Sequence, residues 1–112
     1  MNVVEKDVRL LVKKELAAAN ERFPLFSSAH EGWAVIREEL AEVEQERYML
    51  IQYVEKRLWN EVRSNTEIDE ASLNEAQKQA VNIAVEAIQT AAMLCKLKRS
   101  QRRWKKKMWG QG

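Results

Sequence analysis

Apolar positions recur every three to four residues along three long stretches of the chain, the spacing of one helical face. In the first, residues 2–22, Val4, Val8, Leu11, Val12, Leu16 and Ala19 share that face. "NERFPLFSS" interrupts it. Pro24 cannot continue a helix, and Phe23, Leu25 and Phe26 predict a loop pinned to the core. Ser28 followed by Glu31 reads as a capping box, in which each side chain satisfies a backbone amide of the other at a new helix start. From there to Arg63 nothing stops the helix, and Trp33, Ile36, Leu40, Val43, Leu50 or Ile51, Val54, Leu58 and Val62 keep the period.

At 1.5 Å per residue these ~36 residues span roughly 54 Å. That is very long for a chain of 112 residues, so the helix either bends near "QERYML" or packs along a partner subunit. "SNTEIDEAS" is the next break, with Thr66, Asp69 and Ser72 as candidate caps. A third helix follows over about 70–103, its stripe formed by Val81, Ala84, Val85, Ile88, Ala91, Ala92 and Cys95. No strand pattern and no internal repeat appears. The fold expected is all-α, an antiparallel helical bundle of long helices, completed by oligomerisation because the helices outrun a single small core. Residues 1–103 form one domain and 104–112 a basic, Trp-containing tail.

Composition narrows the chemistry. Apolar residues make up 46% and charged residues 32%, the balance of a folded, soluble, helix-rich chain. Uninterrupted apolar runs fall far short of a membrane span, and the charged N-terminus is no signal peptide, so a cytoplasmic protein without a membrane span is expected. Cys95 cannot form an internal disulfide, being the only cysteine, and is expected as a small buried hydrophobe. Glycine occurs only at 32, 110 and 112, which excludes a Gly-rich phosphate loop. One histidine and one cysteine exclude a Cys/His zinc site. His30, in the first turn of its helix, reads as structural. Any catalysis must run on carboxylates, amides, hydroxyls and basic groups.

The net charge of +2 hides a split. No acid follows Glu86, while eight cations lie between Lys96 and Lys107; the remaining 11 basic residues face all 17 acids, leaving −6 before position 96. The basic run with Trp104 and Trp109 interleaved suits nucleic acid, an anionic surface, or the negative end of the helix dipole.

Within the acidic part, Glu39, Glu42 and Glu46 follow i, i+3, i+7 spacing on a face that flanks the apolar stripe. Residues so spaced have Cβ atoms roughly 5–6 Å apart, near enough to share one divalent cation. Such a row is more often a solvated face. In the third helix, however, Glu86 is the only acid after Glu75. It lies with Asn82, Gln89 and Met93 on one edge of the stripe, and a lone carboxylate amid Ala, Val and Ile needs a partner or a metal. A cation from another helix is one partner; a shared Mg²⁺ held with Glu39, Glu42 and Gln89 is the other.

"FSSAHEGWAVIREELAE" together with "EAIQTAAML" resembles the MazG-like branch of the all-α nucleotide pyrophosphohydrolases, particularly small phage-borne members. The resemblance covers roughly residues 23–48 and 80–97. It implies an E-E-x-x-E helix, here Glu38, Glu39 and Glu42, facing a helix with E-x-x-D, here Glu86 with Gln89 at the Asp position. It further implies Mg²⁺ (or Mn²⁺) on Glu39, Glu42, Glu86 and Gln89, and hydrolysis of a nucleoside triphosphate to monophosphate and pyrophosphate by a homodimer or homotetramer. Glu38 or Glu46 would orient or deprotonate the attacking water. Arg37 and Lys78 are candidate phosphate contacts, Asn82 a further substrate contact, and Trp33 a surface for the base. The alternative is a non-catalytic helical phage protein that binds nucleic acid or a protein partner through its basic tail.

Overall fold

A computed structural model describes residues 2–22 and 25–109, with the side chains of Asn2 and of 107–109 left aside. Expectations for Phe23, Pro24, Lys107, Trp109 and 110–112 lie outside what is described. The protein is all-α, and no strand occurs among the described residues. Helix α1 is Asn2–Arg22 and α2 is Ala29–Gln52. A six-residue π-helical segment, Tyr53–Leu58, carries α2 directly into the short helix α3, Trp59–Arg63. Helix α4 is Glu70–Trp109, six residues longer than its apolar period predicts.

The boundaries follow from local chemistry. Ser28 caps α2 by accepting the Glu31 N–H at 3.1 Å. The return arm of the expected capping box goes to Ser27 instead, whose hydroxyl donates to Glu31 Oε2 at 2.7 Å and whose N–H donates to Oε1 at 3.4 Å. The long helix ends at Asn65, which takes the left-handed conformation at φ 58. Its N–H donates to the Val62 carbonyl and the Thr66 N–H to Glu61, both at 3.0 Å, closing the turn as a Schellman motif. Asp69 caps α4 by accepting the Ser72 N–H at 2.7 Å.

Helices α2 and α4 run antiparallel, with Gly32 against Leu97 at one end and Tyr53 beside Gln79 at the other. Their contact is a heptad seam, alternating steps of four and three residues. On α2 it passes through Gly32, Ile36, Glu39, Val43, Glu46 and Leu50, all buried or half-buried. On α4 it passes through Gln79, Ile83, Glu86, Thr90, Met93, Leu97 and Ser100, again all buried or half-buried. This corrects the expected stripes. Trp33, Leu40, Val54 and Val62 are about half exposed, as are Val81 and Val85 on α4.

The loop before α2 is pinned as expected. Phe26 is buried, and its N–H donates to the fully buried Ser100 hydroxyl at 2.9 Å, which in turn donates to the Lys96 carbonyl at 2.8 Å. Burial pushes the Lys96 ammonium below its ordinary range, although the Glu31 charge works the other way; its Nζ lies 4.7 Å over the Phe26 ring.

Helix α1 packs on α4, burying Leu16. It leaves open a concavity of about 740 Å³ lined by Val4, Val8, Val12, Ala91 and Cys95. Cys95 is exposed there, contrary to expectation, because α1 covers only part of that flank of α4. A second departure lies in the same helix. Although acids and amides break its apolar runs, α4 holds an 18-residue window apolar and long enough to cross a membrane, with 17% of it buried. By itself this is weak evidence for a span: the window includes part of the α2 seam, and a core helix passes the same test.

Candidate metal centre

The seam places carboxylates where a coiled coil ordinarily has aliphatic side chains. Glu39 and Glu46 from α2 and Glu86 from α4 occupy seam positions and are half-buried, while Glu42 projects from the exposed edge. One carboxylate oxygen from each of Glu39, Glu42 and Glu86 lies within 4.8 Å of the others. Glu39 was expected beside the core; the heptad puts it inside.

Two of these carboxylates each have a buried oxygen without a partner. Glu39 Oε2 and Glu86 Oε2 are buried and accept no hydrogen bond, two of only four such side-chain atoms among the described residues. A buried carboxylate oxygen without a donor forfeits its hydration and gains nothing in return. Among the described residues no cation is seen paired with Glu86; Arg9–Glu5 and Arg47–Glu44 are ion pairs within single helices on the surface.

The electrostatics record the crowding. The Glu86 carboxyl sits above its ordinary range, first because its protonated form can hydrogen-bond Glu42, then through burial and the charges of Glu42, Glu39 and Glu46. Glu39 is raised first by burial, then by Glu42, Glu38 and Glu15. Without a cation, Glu39 and Glu86 each keep a proton to higher pH than an isolated carboxyl does. Glu15 escaped the sequence reading: it sits on α1, far away in the chain, yet its charge is felt at Glu39.

These donors fit a hard divalent cation. They are all carboxylate oxygens carried by two helices, Glu39 and Glu86 each also having a buried oxygen without a partner, and Mg²⁺ and Mn²⁺ take carboxylate ligands. They offer no nitrogen or sulfur for a softer metal. Gln89, one turn beyond Glu86 on the same helix, is half-buried.

The remaining candidates divide. Glu38 is exposed. Asn82 and Lys78 are exposed on α4, one and two turns before Glu86. Trp33 and Arg37 pair with each other, the guanidinium 5.4 Å from the ring centroid, and His30 lies 6.0 Å from the same ring. At about 100° per residue, Trp33 and Arg37 point roughly 180° and 140° round α2 from Glu42. They form a surface stack and are not gathered at the carboxylates.

Comparison with protein-family models, with curated proteins and with solved structures finds no match to this chain.

Proposed function

We propose that the protein is a divalent-metal-dependent nucleotide pyrophosphohydrolase of the MazG-like kind, converting a nucleoside triphosphate to monophosphate and pyrophosphate. The observation that carries this reading is the convergence of Glu39, Glu42 and Glu86 with two orphaned buried oxygens. Charge repulsion and lost hydration are tolerated in a seam when a ligand compensates them.

In this reading Glu39, Glu42 and Glu86 hold Mg²⁺, with Gln89 as a weaker neutral donor. Held by these residues, a divalent ion would supply charge neutralisation at the phosphates and lower the pKa of an attacking water. Glu46, on the seam one turn beyond Glu42 and within electrostatic reach of Glu86, would take the proton of the attacking water; exposed Glu38 is less well placed. Asn82 and Lys78, on the same helix as Glu86, are the contacts left for substrate. Trp33 and Arg37 serve the site only from a neighbouring subunit. The open apolar flank of α1 and α4 is a reason to expect one.

The test is product analysis. Incubation with the common ribo- and deoxyribonucleoside triphosphates and Mg²⁺ should yield monophosphate and pyrophosphate in equimolar amounts, and Glu86→Gln should abolish the reaction. Orthophosphate as the sole phosphate product, or full activity in Glu86→Gln, would refute the proposal.

A further inference from the structure

We infer that the last turns of α4 form a docking surface for double-stranded nucleic acid, gripping its phosphate backbone without reading its sequence. The structure turns a basic run into a geometric object. The helix continues unbroken through Trp109, so the cations of 98–106 hold fixed positions. Lys98, Arg99, Arg102, Arg103, Lys105 and Lys106 are all exposed. At 100° per residue they fall on one arc about 160° wide, over about 12 Å of helix axis. None of the six has an ion-pair partner among the described residues. No acid follows Glu86 in the chain to neutralise them.

Charge complementarity selects the occupant. A helix whose cations fan across some 160° presents them to both phosphate rows when it lies along the major groove, which is about as wide as a helix. An anionic membrane fits less well, because surface-binding helices bury an apolar face opposite their cations. Here that opposite face is already used inside the protein. Leu97 lies against Gly32, and Ser100 is hydrogen-bonded to the Phe26 amide. Trp104 continues the same seam one step further and is half-buried. A single strand needs aromatic rings exposed among the cations for bases to stack on, and among the residues whose side chains are described none stands on this arc.

The arc begins about 18 Å along α4 from Glu86 and ends about 30 Å from it. It stands apart from the carboxylates and does not depend on the hydrolase reading.

The full chain is titrated into two short fluorescent duplexes of unrelated sequence, from about 50 to about 200 mM salt; both should bind alike, with a log K against log salt slope of about −3.5 to −5.5 for four to six phosphate contacts. Arg102→Gln/Lys106→Gln, two exposed sites whose loss leaves helicity by circular dichroism unchanged, should weaken both duplexes equally and flatten the slope by about 2. Several outcomes would overturn the proposal. These are failure of either duplex to bind at the lowest salt, an unchanged slope in the double variant, tighter binding of a single strand, or capture by phosphatidylserine vesicles in preference to duplex.

Discussion

Glu39 and Glu86, 47 positions apart in the chain, each hold a buried, unpartnered carboxylate oxygen, and their carboxylates come within 4.8 Å of each other and of Glu42 between α2 and α4. Two like charges facing each other across a helix seam destabilise a fold unless something answers them. The pair therefore makes stability report on the site.

The pH dependence of the metal-free protein follows. The Glu86 carboxyl lies above its ordinary range, so the folded state holds this proton more tightly than the unfolded chain does. The resulting stabilisation is fully present below the ordinary carboxylate pKa of about 4.3 and is lost as pH rises through the folded value. Glu86→Gln imitates the protonated form at every pH. In chelator-treated buffer at neutral pH the variant should be the more stable protein, by at least a few tenths of a kcal/mol, the scale of one like-charge helix pair. The gap should close on acidification. Thermal melts across the acid range check this; a variant less stable than wild type at neutral pH would count against it.

Gly32 sets how closely α2 approaches α4. A Cβ placed there would lie 2.7 Å from Leu97 Cδ1 and 3.0 Å from Phe26 Cδ2. Gly32→Ala forces those side chains aside, an overpacking cost of about 1–3 kcal/mol, offset by about 1 kcal/mol of helix propensity. Gly32→Val adds bulk and loses most of that offset, so its urea midpoint should fall well below that of Gly32→Ala. Equal midpoints for glycine, alanine and valine would mean the helices do not meet here.

Gln89 provides a test of the donor set. An amide oxygen offers a dipole where a carboxylate offers a full charge, and Mg²⁺ prefers the latter. Gln89→Asp should raise Mg²⁺ affinity, read as a larger metal-induced rise in melting midpoint, because a ligand bound only by the folded state stabilises it. If Mg²⁺ shifts neither protein and the substitution only destabilises, Gln89 lies outside any metal site.

The apolar flank bears on assembly. With Val4, Val8, Val12, Ala91 and Cys95 around an open concavity, the protein is expected to be at least a dimer at micromolar concentration. Val8→Glu should shift it toward monomer. Light scattering that gives only the 13.1 kDa chain mass for the unmodified protein would contradict this.

Much of the helical layout was legible in the sequence because its signals are local. The Ser28 and Asp69 caps mark helix starts by their own side-chain chemistry, and α1 runs where Val4 to Ala19 predict. The seam was not legible. A search for apolar spacing selects Trp33, Leu40 and Val85, whereas the faces that meet contain Gly32, Glu39, Glu46, Gln79, Glu86, Thr90 and Ser100. Polar residues at core positions carry no hydrophobic signal, so the period that matters emerges only when both helices are laid against each other. Glu39, Glu42 and Glu86 could still be singled out, since helix spacing and a lone acid in an apolar run are both visible along the chain. That Glu15 bears on Glu39, and that Cys95 is uncovered, depends on where α1 docks, which nothing local encodes.

The central claim is that Glu39, Glu42 and Glu86 share one divalent cation. Crystals soaked in Mn²⁺ and measured for anomalous scattering address it directly. The account predicts one strong peak bridging the three carboxylates, with metal–oxygen distances of about 2.2 Å, and its loss in Glu86→Gln. A fully soaked crystal with no peak between α2 and α4, its carboxylates bound to cations of a neighbouring subunit or turned to solvent, would contradict it.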